Sequence, residues 1–207
     1  MHLLFDFDGT LVDSYHCVLA KTRLLACEHY FRNLSDDDIE ALRDLSSGEI
    51  IKFLKIPLYK IPKLIREMRK HLHNEMQHLT PFPTMYSVVE RLYNNNCSLG
   101  ILTSNSVDNV AKWLDINDMS RFFDFIHTES NYFSKKYLLK KTLSSYKIDK
   151  SQAYYIGDET RDIEAAKKNK VKSIAVTWGY NSEKALLKSQ PSFIAKVPND
   201  LVTLCEN

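Results

Sequence analysis

Apolar residues along this chain alternate between short continuous runs and longer stretches in which they recur at helical spacing. The first run, Leu3-Leu4-Phe5, continues to Phe7 across a single acidic residue, Asp6. Similar runs fall at 97–102, 123–127, 153–156 and 171–176, with the weakest pattern at 192–195. Runs of this length without alternation predict strands buried on both faces. No such run falls between Asp8 and Cys97. There the pattern is helical: Ile61, Leu64, Ile65, Met68, Leu72 and Met76 form one stripe,. Cys17 with Leu24, and Val18 with Leu25, repeat at seven, while Pro57, Pro62, Pro81 and Pro83 punctuate segment ends. From Met85 onward helices and strands alternate, which predicts a parallel sheet with crossover helices. The expected fold is α/β, a Rossmann-like parallel sheet with flanking helices, built from 1–14 and 81–207. An inserted α-helical cap is expected at 15–80, with hinges near 13–15 and 80–83.

Polar residues that interrupt or end the apolar runs carry the chemistry. Asp6 and Asp8 stand two apart, so on an extended strand both project from one face at its C-terminal end. A carboxylate between Phe5 and Phe7 is costly to bury unless it is paired or liganded. Gly9 permits a sharp turn and close approach of the backbone to a ligand. The run at 97–102 ends in Thr103-Ser104-Asn105, all hydrogen-bond donors, and Ser106 has the character of a helix N-cap ahead of Val107, Val110, Ala111 and Leu114,. The run at 153–156 breaks at Gly157-Asp158, and a helix carrying Asp162, Ile163, Ala165 and Ala166 follows. Ligands of open parallel sheets bind beyond the C-terminal strand ends, which is where all of these residues fall.

Composition narrows the class. A chain of 207 residues allows one domain with a sizeable insertion, and 44% hydrophobic residues is ordinary for a globular protein,. A net charge of +2 gives no footprint for nucleic acid,. No apolar run approaches the roughly 18 residues of a membrane span. The first residues have no basic region, and Asp6 and Asp8 interrupt the only apolar run there, so no signal peptide is expected,. Cys17, Cys27, Cys97 and Cys205 lack metal-ligand spacing; their dispersion fits reduced thiols in a cytoplasmic protein,.

Asp6-Phe7-Asp8-Gly9-Thr10-Leu11-Val12-Asp13-Ser14 resembles the first motif of the haloacid dehalogenase superfamily. Thr103 is similar to its second motif, and Gly157-Asp158-Glu159-Thr160-Arg161-Asp162 to its fourth. The third is a single lysine, for which Lys135 and Lys136 compete in Phe133-Ser134-Lys135-Lys136; Lys135 is favoured by its distance from the aromatic residue. Within the superfamily the chain looks most like phosphoglycolate-phosphatase-type members. The resemblance implies a phosphatase acting on a small phosphorylated metabolite, with Asp6 as nucleophile forming an aspartyl-phosphate and Asp8 as general acid and base. It further implies Mg2+ held by Asp6, Asp8 through its backbone carbonyl, and Asp158, with Asp162 in support. Gly9, Thr103, Ser104, Asn105 and Lys135 would bind the phosphoryl group. An acid at position 8 fits phosphate esters, whose oxygen leaving group benefits from a proton. Sugar phosphomutases share that acid, and a non-catalytic phosphoryl-binding protein on the same scaffold is the remaining alternative. The chain is expected to act as a monomer or homodimer, without nucleic acid or membrane as partner.

Specificity is expected from the cap. Arg43, with Ser46, Ser47 and Gly48, lies between two helical patterns, where it can anchor a second anionic group such as a carboxylate; pairing with Asp44 or Asp38 on a helix face is the plainer alternative. Basic residues at 60–78 fit a solvated helix face, and His71 and His73 are splayed by their spacing. Trp178-Gly179-Tyr180-Asn181 follows a strand, where it either lines the site rim or packs as an aromatic anchor.

Overall fold

The computed structural model describes residues 1–128 and 135–206. Its strands are β1 (His2–Phe5), β2 (Ser98–Thr103), β3 (Phe125–Thr128), β4 (Ala153–Gly157), β5 (Lys172–Val176) and β6 (Phe193–Ala195). They form one sheet in the order β3-β2-β1-β4-β5-β6, every pairing parallel. Ten α-helices complete the described residues. Four follow β1 in a block: α1 (Tyr15–Glu28), α2 (Asp36–Arg43), α3 (Ser47–Phe53) and α4 (Ile61–Glu75). The remainder alternate with strands: α5 (Met85–Asn94), α6 (Val107–Ile116), α7 (Lys135–Ser145), α8 (Thr160–Asn169), α9 (Glu183–Lys188) and α10 (Asp200–Glu206).

β1 shows why the strand runs are continuous rather than alternating. Leu3 and Phe5 face one core with Leu99, Ile101, Val88, Val89 and Trp113. Leu4 faces the other, with Leu102, Tyr155, Leu138, Leu139 and Ala166. Each face is covered by helices, so both residue parities must be apolar. Strand order reverses between β1 and β4, and the crevice at such a switch point is where ligands of this sheet type bind.

α1–α4 lie above the C-terminal end of the sheet. The chain leaves and returns through two neighbouring connections: the Asp13 amide N donates to the Thr80 carbonyl at 3.0 Å, and that of Phe82 to Leu11 at 3.2 Å. Val12 and Pro81 form an antiparallel bridge there. α4 packs on α1 and on α6. Its contact with α6 is polar: Asn109 Nδ2 donates to the Arg69 carbonyl at 3.0 Å, and His73 Nδ1 lies 2.8 Å from Asn109 Oδ1. α3 begins on a capping box in which Ser46 and Glu49 satisfy each other's backbone amides,. Ser46, Ser47 and Gly48 therefore form the cap and first turn of a helix rather than the expected loop, and Arg43 is the last residue of α2.

Candidate active site

The site is built where β1, β2 and β4 end. The Asp6 amide N donates to the Ile156 carbonyl at 2.8 Å, so the backbone is still fastened to β4 there. The chain then turns at once. The Phe7 carbonyl accepts from the amides of Thr10, Leu11 and Val12 at 3.2, 2.9 and 3.2 Å. β1 thus ends at Phe5, earlier than the apolar pattern predicts, and Asp8 leaves from a turn rather than from the same strand face as Asp6. Both carboxylates still line one cavity, but each is held by its own network. Asp6 Oδ2 accepts from Lys135 Nζ at 2.5 Å. Asp8 accepts from Ser14 Oγ at 2.9 Å and from Asn105 Nδ2 at 2.9 Å. The Ser14 hydroxyl is itself 2.8 Å from the Tyr180 hydroxyl.

Gly9 has φ +78°, and a Cβ there would lie 2.3 Å from Asp158 Oδ2. A Cβ on Gly179 would meet the same carboxylate at 2.3 Å. Only glycines leave room for Asp158, which accepts from Thr10 Oγ1 at 2.8 Å and from the Tyr180 amide at 2.7 Å. Asp162 lies in the first turn of α8. It accepts from Lys135, from the Tyr155 hydroxyl at 3.1 Å and from the Glu159 amide at 3.1 Å.

Glu159 escaped the sequence reading. Its carboxylate, with those of Asp6 and Asp162, forms a buried cluster whose oxygens lie within 4.8 Å of one another. It pairs with Arg161 (Nε to Oε2 2.6 Å), accepts from the Ser47 hydroxyl at 3.0 Å and lies 3.9 Å from Lys135 Nζ. Two adjacent acids at the end of a buried strand were the available signal. Arg69 was missed for another reason: it arrives from a distant element. Arg69 on α4 donates through Nε to the Ser104 carbonyl at 2.8 Å.

Thr103 is buried, and its hydroxyl accepts from the Asn105 amide at 2.9 Å. Thr103, Ser104 and Asn105 all line the cavity. Ser106 caps α6 as expected, accepting from the Asn109 amide at 3.3 Å. Of the two competing lysines, Lys135 reaches Asp6, while Lys136 places its ammonium 4.7 Å from the Tyr137 ring. The preceding Phe133-Ser134 lies outside the described residues. Arg43 does not line the cavity; its guanidinium donates to the Gly179 carbonyl at 3.1 Å and stands 5.4 Å from the Tyr15 ring. The Trp178–Asn181 segment takes both expected roles. Tyr180 lines the cavity, whereas Trp178 packs on Phe82 and donates to the Thr10 carbonyl at 3.1 Å.

Electrostatically the floor is short of positive charge. Asp6, Asp8, Asp158, Glu159 and Asp162 gather there, while the ion pairs among them are made by Lys135 and Arg161, and Arg69 also lines the cavity. Burial pushes Asp6 up to about 7, against the pull of Lys135. Burial also raises Asp8, opposed by its bonds from Ser14 and Asn105, and raises Asp158 well above the carboxylate range, reinforced by Glu159. Glu159 is buried too, but Arg161 and Lys135 outweigh that cost and hold it low. Burial and Arg161 work against the Lys135 charge, yet Asp162, Asp6 and Glu159 hold its ammonium firmly on. A hard divalent cation with oxygen ligands suits this excess of buried carboxylate.

Fold and site together define an α/β protein with a carboxylate-rich pocket at the switch point of a parallel sheet. Residues 3–176 match the family model described as haloacid dehalogenase-like hydrolase. The chain belongs to that family, and it is an enzyme of its phosphatase type. It is 30% identical to a phosphoglycolate phosphatase of Synechococcus elongatus, over 97% of this chain and 94% of that protein. It is 27% identical to the pyrophosphatase PpaX of Oceanobacillus iheyensis, over 98% and 95%. In structure it resembles a predicted phosphatase from Clostridium acetobutylicum, with TM-score 0.85 and 19% identity over 100% of this chain and 98% of that one.

Proposed function

We propose that this chain is a Mg2+-dependent phosphatase that hydrolyses a small phosphate monoester through an aspartyl-phosphate on Asp6. The observation that carries this proposal is the pairing of two carboxylates in one cavity with different partners: Asp6 on Lys135, Asp8 on neutral donors. Asp6 Oδ attacks phosphorus, and the ester P–O bond breaks. Asp8 gives its proton to the departing oxygen. Water then attacks the phosphorus of the acyl phosphate and loses its proton to Asp8, which frees phosphate and regenerates the Asp6 carboxylate. Thr103 and the amides of Ser104 and Asn105, with the Gly9 turn, bind the phosphoryl oxygens, and Lys135 stabilises the charge that grows on them. Asp6, the Asp8 carbonyl and Asp158 would hold the metal, with Asp162 in support and Glu159 beside them. Mg2+ supplies charge neutralisation that lets a carboxylate approach a phosphate.

The four helices above the site would act as a cap that excludes water and sets specificity, inserted at 15–80 between the two parts of the core domain. The free thiols at Cys17, Cys27 and Cys97 fit a reducing cytoplasm,. No described helix is long and apolar enough to cross a membrane.

The test is turnover of p-nitrophenyl phosphate with Mg2+ and with EDTA, in the wild type and in Asp6→Asn. Activity that needs Mg2+ and falls by about a thousandfold or more in the variant is expected. Unchanged turnover in Asp6→Asn would remove Asp6 as nucleophile. Conversion of glucose 1-phosphate to its isomer without phosphate release would make the enzyme a mutase.

A further inference from the structure

The cavity above Asp6 and Asp8 has two chemically distinct ends. Its floor carries Asp6, Asp8, Thr103, Ser104 and Asn105. Its roof, contributed by α1, α3 and α4, is aliphatic: Leu25, Ile50, Leu54, Leu64, Ile65 and Met68 are characteristic. The volume is about 250 Å3. An apolar cavity of about 150 Å3 already accepts a benzene ring. The space above the phosphoryl position is therefore large enough for a ring or a chain of several carbons.

The cations near that space are committed elsewhere. Lys135 pairs with Asp6 and Asp162, Arg161 with Glu159, and Arg69 with the Ser104 carbonyl. Arg43, the residue suited to a second anionic group, is turned to Gly179 and Tyr15. Arg69 and Arg161 line the cavity but already hold these partners, so a leaving group with a carboxylate would lose its hydration against Leu, Ile and Met side chains and compete for bonded cations, whereas an apolar one gains burial,.

We propose that the preferred substrates are phosphate monoesters of apolar alcohols, aliphatic or aromatic, with the hydrocarbon part lodged beneath α1, α3 and α4. This rests on the phosphatase activity proposed above and names its substrate class. The roof stripe on α4 then has two duties: Leu72 and Met68 both line the cavity and pack with the core, while Leu64 and Ile65 face the substrate space.

Two measurements on the intact wild-type protein test the inference. The first compares phosphate release from ethyl, butyl, hexyl and phenyl phosphate with release from 2-phosphoglycolate, in Mg2+. kcat/KM is expected to rise by about fourfold per methylene over the first few carbons, and phosphoglycolate is expected to be the poorest substrate. The second titrates the corresponding alkylphosphonates, which are not hydrolysed, against phosphonoacetate by calorimetry. Affinity should climb with chain length, with the negative heat-capacity change of apolar burial. Ile65→Gln should narrow the hexyl-to-ethyl ratio in both assays. Phosphoglycolate turned over as fast as hexyl phosphate, or an affinity flat with chain length, overturns the inference and leaves the phosphatase reading intact. Chain-length-dependent phosphonate binding without turnover of any ester overturns the phosphatase reading and supports the apolar pocket.

Discussion

The floor and the roof of the cavity are built on opposite principles. The floor is a set of buried charges, each held by at least one charged or hydrogen-bonding partner. Asp158 is enclosed between two glycines, and Asp162 is held by Lys135, Tyr155 and a backbone amide. The roof is a set of short helices held by few fully buried side chains. α2 and α3 have none, and α1 contributes Leu25 and Ala26 without a side-chain cap. Buried charge demands defined geometry because an unpaired ion in the interior is expensive. An aliphatic lining demands only shape and apolarity, and tolerates exchange. The difference teaches where each kind of change will be felt.

The largest stability effect is expected in the floor. Lys135→Met leaves Asp6 and Asp162 buried without their cation, at a cost of about 3–5 kcal/mol, read from urea unfolding without Mg2+. A loss under 1 kcal/mol would mean that the acidic cluster relaxes or protonates at little cost, and the contrast between the regions would fail.

Next comes a matched pair of truncations. Leu102→Ala, in the sheet beneath Leu138 and Leu139, should cost about 2–5 kcal/mol. Ile65→Ala should cost about 1 kcal/mol or less, because a side chain facing a cavity already lacks contacts on that side. Equal losses would show that the cavity closes in solution. A smaller effect is expected from the metal: Mg2+ at a hundredfold excess over its Kd should stabilise the wild type by about 2.7 kcal/mol, reversed by EDTA. Asp158→Asn should reduce that increment, whereas a roof variant such as Ile65→Ala should keep it. The smallest change is Ser46→Ala, which removes half of the α3 capping box and should cost about 1 kcal/mol, measured as a shift in unfolding midpoint.

The two regions were also unequally legible in the sequence. The sheet was readable because each strand is buried on both faces and so is apolar at every position; Leu3-Leu4-Phe5 needs no alternation to be recognised. The acidic pattern was readable because Asp6 interrupts such a run. Where the strand ends was not, since three amides converging on the Phe7 carbonyl make a turn that hydropathy does not register. Glu159 was hidden by its neighbour Asp158, and Arg69 by its separation of 35 residues from Ser104. The stripe Leu64, Ile65, Met68 and Leu72 predicted α4 correctly. Periodicity reports which face is apolar, however, and not whether that face is filled, so the cavity beneath it emerges only in three dimensions.

The connections at Asp13–Thr80 and Leu11–Phe82 have a consequence for engineering. A segment whose two ends are bonded to each other imposes almost no span on the scaffold that carries it. Everything between those points can in principle be exchanged for a helical insert of different length or lining, with the strand order below it untouched. Selectivity for the departing alcohol would then be transplantable as a unit, separately from the machinery that breaks the bond.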